Sequence, residues 1–166
     1  MNMFHSIHRP LSRRSVLAVG SSALLFSLSS RAEQPPINTL KNSIFGGRTD
    51  TAINGYDTVA YFTVGKPVMG NDAFALDWMG AKWKFASQAN LDLFKASPEK
   101  YAPQYGGYCA YGVAQGDLVK VEPDQFTVLG GKLYLNYDAD VQAKWRKDPA
   151  GYIKTADAKF SALLRK

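Results

Sequence analysis

The chain has 166 residues, with 20 lysines and arginines against 14 acidic residues, two histidines and a single cysteine, Cys109. One cysteine excludes an internal disulfide. The histidines, His5 and His8, both stand within the first ten residues, so beyond them the chain has neither the usual general base nor the commonest metal ligand. Four of the basic residues (Arg9, Arg13, Arg14, Arg31) precede Glu33 and no acidic residue does, which leaves a near-balanced remainder of net charge +2. The basic excess is therefore no argument for a nucleic-acid partner.

Residues 1–32 have the order of an export signal. Arg9, Arg13 and Arg14 make a positive start, Val16 to Leu28 is a mildly apolar run diluted by serines and Gly20, and Ser30-Arg31-Ala32 puts small residues where a signal peptidase reads. Cleavage is expected after Ala32. A membrane span needs roughly 20 apolar residues and this run is shorter, so no span is expected once the signal is removed. Ser12 to Leu17, around Arg13-Arg14, resembles the bacterial twin-arginine signal. The expected location is the periplasm or the exterior, reached by an already folded domain. Residues 33–50, polar and proline-containing at the start, are expected to be a loose leader, and 51–166 the folded domain.

Within that domain, Asp57 in "NGYDTVAYF" follows a glycine turn and precedes an apolar run that reads as a strand. An aspartate there commonly accepts hydrogen bonds from the backbone of the turn; a ligand role is the alternative. Phe74, Leu76 and Trp78 alternate with more polar neighbours, Met79-Gly80 turns, and Trp83 and Phe85 alternate on the way back. Ser87 suits a helix N-cap, with Leu91 and Phe94 on the buried face, and Ser97-Pro98-Glu99 opens a second short helix. The pattern then returns: Phe126 and Val128, a Gly130-Gly131 turn, Leu133 and Leu135, a cap at Asp138, Val141 and Trp145, and Asp148-Pro149 opening a last helix with Ile153, Phe160 and Leu164. Gly80 and Lys82 match Gly130 and Lys132 at an offset of 50, and Pro98 and Tyr101 match Pro149 and Tyr152 at 51, as though one residue were inserted between. The predicted fold is α+β: one small domain of antiparallel hairpins packed with short helices, built from a duplicated hairpin-helix unit.

The one thiol lies in "YGGYCAYG", Tyr105 to Gly112. Gly106-Gly107 permits a backbone conformation that lets a ligand or a second chain approach closely. Tyr105, Tyr108 and Tyr111 are candidates to line such a pocket. Two readings of Cys109 follow. In one it is a small buried hydrophobe on a strand with Tyr108, Tyr111 and Val113. In the other it is a reactive or metal-binding thiol, ionised beside a cation or a helix N-terminus, with Lys100 and Lys120 the nearest cations in sequence. Met69 and Met79 are soft donors that, with Cys109, suit Cu(I), the candidate cofactor.

"INGYDTVAYF", "WKFASQANLDLFKASPEKYAPQYGGYCAYGV" and "KLYLNY" together resemble the exported bacterial branch of the YHS-domain proteins, over about Ile53 to Tyr152. The resemblance implies a small α+β binding module. In the metal-associated branch, cysteines fall at positions that here are Ala60, Ala86 and Asn90. Some relatives of the exported branch look to carry selenocysteine where this chain has Cys109. Three functions fit: a module handling a soft metal or a thiol through Cys109, a thiol-dependent redox enzyme, or a non-catalytic interaction domain. A redox enzyme would need an external thiol to resolve a sulfenic acid, because the chain has no second cysteine.

Overall fold

The computed structural model describes residues 33–41 and 46–166; the predicted export signal, with Arg13, Arg14 and Ala32, lies outside them. The described chain is α+β, as expected. A short helix α1 (Ala60–Thr63) leads to the hairpin of β1 (Asn71–Trp78) and β2 (Ala81–Phe85), then α2 (Gln88–Ala96) and α3 (Pro98–Tyr101). Helix α4 (Ala110–Gln115) leads to the hairpin of β3 (Glu122–Leu129) and β4 (Lys132–Asn136), then α5 (Ala139–Trp145) and α6 (Pro149–Leu163). Each hairpin is its own two-stranded antiparallel sheet.

The duplication is closer than the sequence comparison suggests, and its register differs. β1 pairs with β2 at Asn71–Phe85, slips once, and resumes from Ala75–Lys84 to Trp78–Ala81. β3 pairs with β4 at Glu122–Asn136, slips at the same place, and resumes from Phe126–Leu135 to Leu129–Lys132. The offset is 51 from strand to last helix, so no residue is inserted between the hairpin and the proline helix. Met79, not Gly80, is the partner of Gly130, and both turns hold two residues of positive φ: Met79 and Gly80, Gly130 and Gly131. That is the backbone a two-residue hairpin loop needs to follow the twist of its strands. The caps agree too. Ser87 accepts from the Asn90 N–H and Asp138 from the Val141 N–H, each satisfying a donor the first helical turn leaves free.

The equivalence reaches back beyond the hairpins. Before α1, Ile53, Asn54 and Gly55 all have positive φ; before α4, Tyr105, Gly106 and Gly107 do the same. These two left-handed turns are 52 positions apart, so the repeats differ by one residue in the loop before the hairpin. Each unit is thus left-handed turn, short helix, hairpin, capped helix, proline helix.

The units play unequal parts in the core. Trp83 packs on Phe94 with ring centroids 5.0 Å apart, and the equivalent Tyr134 on Trp145 at 5.2 Å, with interplanar angles of 33° and 34°. On the opposite face, the first hairpin presents Lys82 and Lys84, whereas the second presents Leu133 and Leu135, which join the core of the first unit. The second hairpin is therefore covered on both faces. Its Tyr134 side is closed by α4 and the long α6, through Val113, Ala156 and Leu163. The buried residue at the end of α6 is Leu163, with Leu164 at its C-cap.

The segment read as a loose leader is packed into the domain. Ile37, Asn38 and Thr39 are buried. The Asn38 side chain and backbone link both left-handed turns: its N–H donates to the Gly106 carbonyl at 2.9 Å, its carbonyl accepts from the Ile53 N–H at 3.1 Å, and its amide donates to the Gly107 carbonyl at 2.9 Å. A polar leader becomes part of the fold because those turns expose carbonyls that need donors.

Candidate functional site

Asp57 and Cys109 occupy the same position in the two repeats, one residue past the tyrosine that follows each left-handed turn. Neither lies beside a strand as read from sequence: the apolar runs after them are α1 and α4. Asp57 is fully buried. Its Oδ1 accepts from the Val59 N–H at 2.9 Å and the Ala60 N–H at 3.3 Å. Its Oδ2 accepts from the Ala86 N–H at 2.8 Å and the Asn90 amide at 2.6 Å. Asp57 is an acceptor, as expected, but its donors stand at the starts of α1 and α2 and not in the glycine turn before it.

Cys109 caps α4, its sulfur accepting from the Gly112 N–H at 3.3 Å. The N–H groups of Tyr111 and Tyr137 also reach the sulfur, and the Asn136 amide stands 4.0 Å away. Tyr111, Gly112 and Tyr137 are the repeat equivalents of Val59, Ala60 and Ala86. The same three backbone donors thus surround a carboxylate in one unit and a sulfur in the other. Cys109 is only 1% exposed. Burial pushes its thiol pKa up, against the smaller opposite pull of these hydrogen bonds.

The other predicted site residues do not gather around the sulfur. The close approach that Gly106 and Gly107 permit is taken up by the chain itself. A Cβ on Gly106 would overlap the Pro36 carbonyl, and one on Gly107 would overlap the Ile53 side chain. Tyr105 turns away to donate to Asp157 at 2.9 Å, and burial, then that bond, raise its pKa. Tyr108 donates to the Pro35 carbonyl and accepts from Arg48, both at 3.0 Å. Tyr111 packs on Tyr152, ring centroids 5.1 Å apart. Lys100 and Lys120 lie over the rings of Tyr101 and Tyr137.

Met69 and Met79 are 56% and 50% exposed, Met79 at the tip of the first hairpin and Met69 paired with Tyr56. Both are thus far more exposed than Cys109 at 1%. Met69 joins Asn54, Gly55 and Lys84 around an open cavity of about 400 Å³. Lys84 is held there by Asp72 at 2.7 Å. Among the described residues, no group of three or more histidines, cysteines or acids could hold a metal ion, and no helix is long and apolar enough to cross a membrane.

The thiolate metal site implied by the metal-associated YHS branch does not fit these residues. Ala60, Ala86 and Asn90, which stand where that branch has cysteines, all direct N–H groups at Asp57. Donors to a carboxylate are not metal ligands, and they already occupy both of its oxygens. The Asx-like pairing around Asp57 was legible in sequence; Asn90, Ala86 and Asn136 were not, because they arrive from the far side of each hairpin.

Compared with known proteins, the chain matches no curated protein and no solved structure. A family match covers α1 through α3 and ends in the second left-handed turn, so it takes in most of the first structural unit but neither its left-handed turn nor Asp57. Residues 59–105 match the YHS domain family.

Proposed function

We propose that this protein is an exported bacterial binding module of the YHS kind, non-catalytic, in which Cys109 is an internal hydrogen-bond acceptor and not a metal-handling or redox thiol. One observation carries the reading: the sulfur takes the place, and the three backbone donors, that the other unit gives to the buried Asp57 carboxylate. A residue used that way serves the backbone of α4. Burial favours its protonated form, whereas a reactive thiol has to ionise. Export is supported by the ordered signal of residues 1–32 with Arg13-Arg14.

Alkylation of the native protein across pH tests the thiol. Cys109 should stay unmodified at neutral pH and react fully once the chain is unfolded; a thiolate population in the native protein near pH 7 overturns the reading. Competition against a Cu(I) chelator, with Cys109→Ser beside the wild type, tests the copper alternative. Equal behaviour of the two proteins is expected, and copper binding lost in Cys109→Ser would restore Cys109 as a ligand. For export, cell fractionation and mass spectrometry should find a chain beginning at Glu33 outside the cytoplasm. Lysines at both Arg13 and Arg14 should block its passage.

A further inference from the structure

The residues that follow the expected cleavage site are not a free tail. Gln34 donates its N–H to the Leu164 carbonyl at 2.7 Å, beyond the end of α6. Its side-chain oxygen accepts from Arg48 at 2.9 Å, and the same guanidinium donates to Tyr108, whose hydroxyl donates to the Pro35 carbonyl. The Pro36 carbonyl then sits against Gly106, where no side chain fits. Residues 34–38 form a strap whose backbone is engaged at nearly every step. Only Glu33 separates it from Ala32.

A protease needs its substrate extended, with the backbone free on both sides of the bond to be cut; burial and hydrogen bonding of that backbone decide whether it can act. One residue spans at most about 3.6 Å, too little to enter a peptidase cleft while Gln34 remains bound to Leu164. We propose that the strap and the signal peptidase compete for the same residues, so that removal of the signal from the folded domain proceeds through an opened strap. The inference rests on the export reading above, with cleavage at Ala32–Glu33. The reaction is ordinary hydrolysis: one water is consumed, leaving a carboxyl group on Ala32 and an amine on Glu33. When opening and closing are fast relative to cutting, the rate follows the population of the open form. Arg48 and Tyr108 then act as a clasp that slows maturation.

The test uses the purified full-length precursor, a signal peptidase in detergent micelles, and three chains: wild type, Arg48→Ala and Tyr108→Phe. Each substitution removes at least two clasp hydrogen bonds and should raise the cleavage rate by about tenfold or more. Hydrogen exchange across residues 34–38 should speed up in the same order. A synthetic peptide of residues 22–40, which has no domain to dock on, should be cut faster than any of the three. Equal cleavage rates in chains whose straps exchange at different rates overturn the coupling and leave the export reading intact. No cleavage of any chain or of the peptide, or cleavage at another bond, overturns the export reading and this proposal with it.

Discussion

The two units of this domain solve one problem with different atoms. Each ends a left-handed turn by directing a short helix and the end of a hairpin at a single buried acceptor. In the first unit that acceptor is the Asp57 carboxylate, with four donors at 2.6–3.3 Å. In the second it is the Cys109 sulfur, which accepts from the Gly112 N–H at 3.3 Å. A carboxylate receives strong, charge-assisted hydrogen bonds; a thiol receives weak ones and avoids burying a charge. The hairpins around the two acceptors also differ. The first unit's hairpin has one face in water, through Lys82 and Lys84, whereas the second is covered on both faces by Leu133, Leu135, α4 and α6. The two acceptors themselves are equally buried, Asp57 at 0% and Cys109 at 1% exposure.

The largest effect is expected from breaking the first site. Asp57→Ala leaves several buried N–H groups without their acceptor, and should cost upwards of ~3 kcal/mol or prevent folding. Denaturant unfolding measures it. Cys109→Ala removes the weaker acceptor from the equivalent place and should cost less, about 1–3 kcal/mol. A Cys109→Ala variant as damaging as Asp57→Ala would mean that the sulfur does more than cap α4.

The pH dependence separates the two sites further. The thiol's pKa is raised in the fold from its ordinary 9.0, chiefly by burial. The unfolded chain therefore loses that proton first. The thiol's contribution is fully present below pH 9 and is lost as pH rises through the higher native value. Tyr61, Tyr105 and Tyr134 are raised from 10.0, each first by burial, and add to the loss above pH 10. Melting temperature should fall on the alkaline side, and Cys109→Ala should remove the earliest part of that fall.

The smallest effect lies at the hairpin tips. Met79 is half exposed with φ of 49°, where the second unit has Gly130. Met79→Asn would place Asn-Gly in a turn that favours it. It should stabilise the protein by about 0.5–1 kcal/mol, since the left-handed backbone strains a methionine and little packing is lost. Thermal unfolding detects the gain; a loss would show that the exposed methionine is held by contacts of its own.

The hairpins, the caps at Ser87 and Asp138, the proline helices and their duplication were legible in the residues, because each depends on neighbours a few positions away. The register was misread by one residue because Gly80-Lys82 and Gly130-Lys132 offered a tempting alignment. The true partner of Gly130 is a methionine that adopts a glycine's backbone. The pairing of Asp57 with Cys109 was hidden for a related reason. Ile53 and Tyr105 hold left-handed conformations that their side chains do not advertise, and the acceptors share no chemical type.

By itself, the sequence determined the α+β composition, the repeated unit and the single thiol, all of which follow from local spacing or residue counts. Only the tertiary structure decided that residues 34–39 belong to the domain and that Gly106-Gly107 makes room for the chain itself. It also decided that Met69 and Met79 are half exposed while Cys109 is buried, and that the thiol fills an aspartate's place. These features join residues distant in the chain, through carbonyls and N–H groups that every residue carries and no residue type announces.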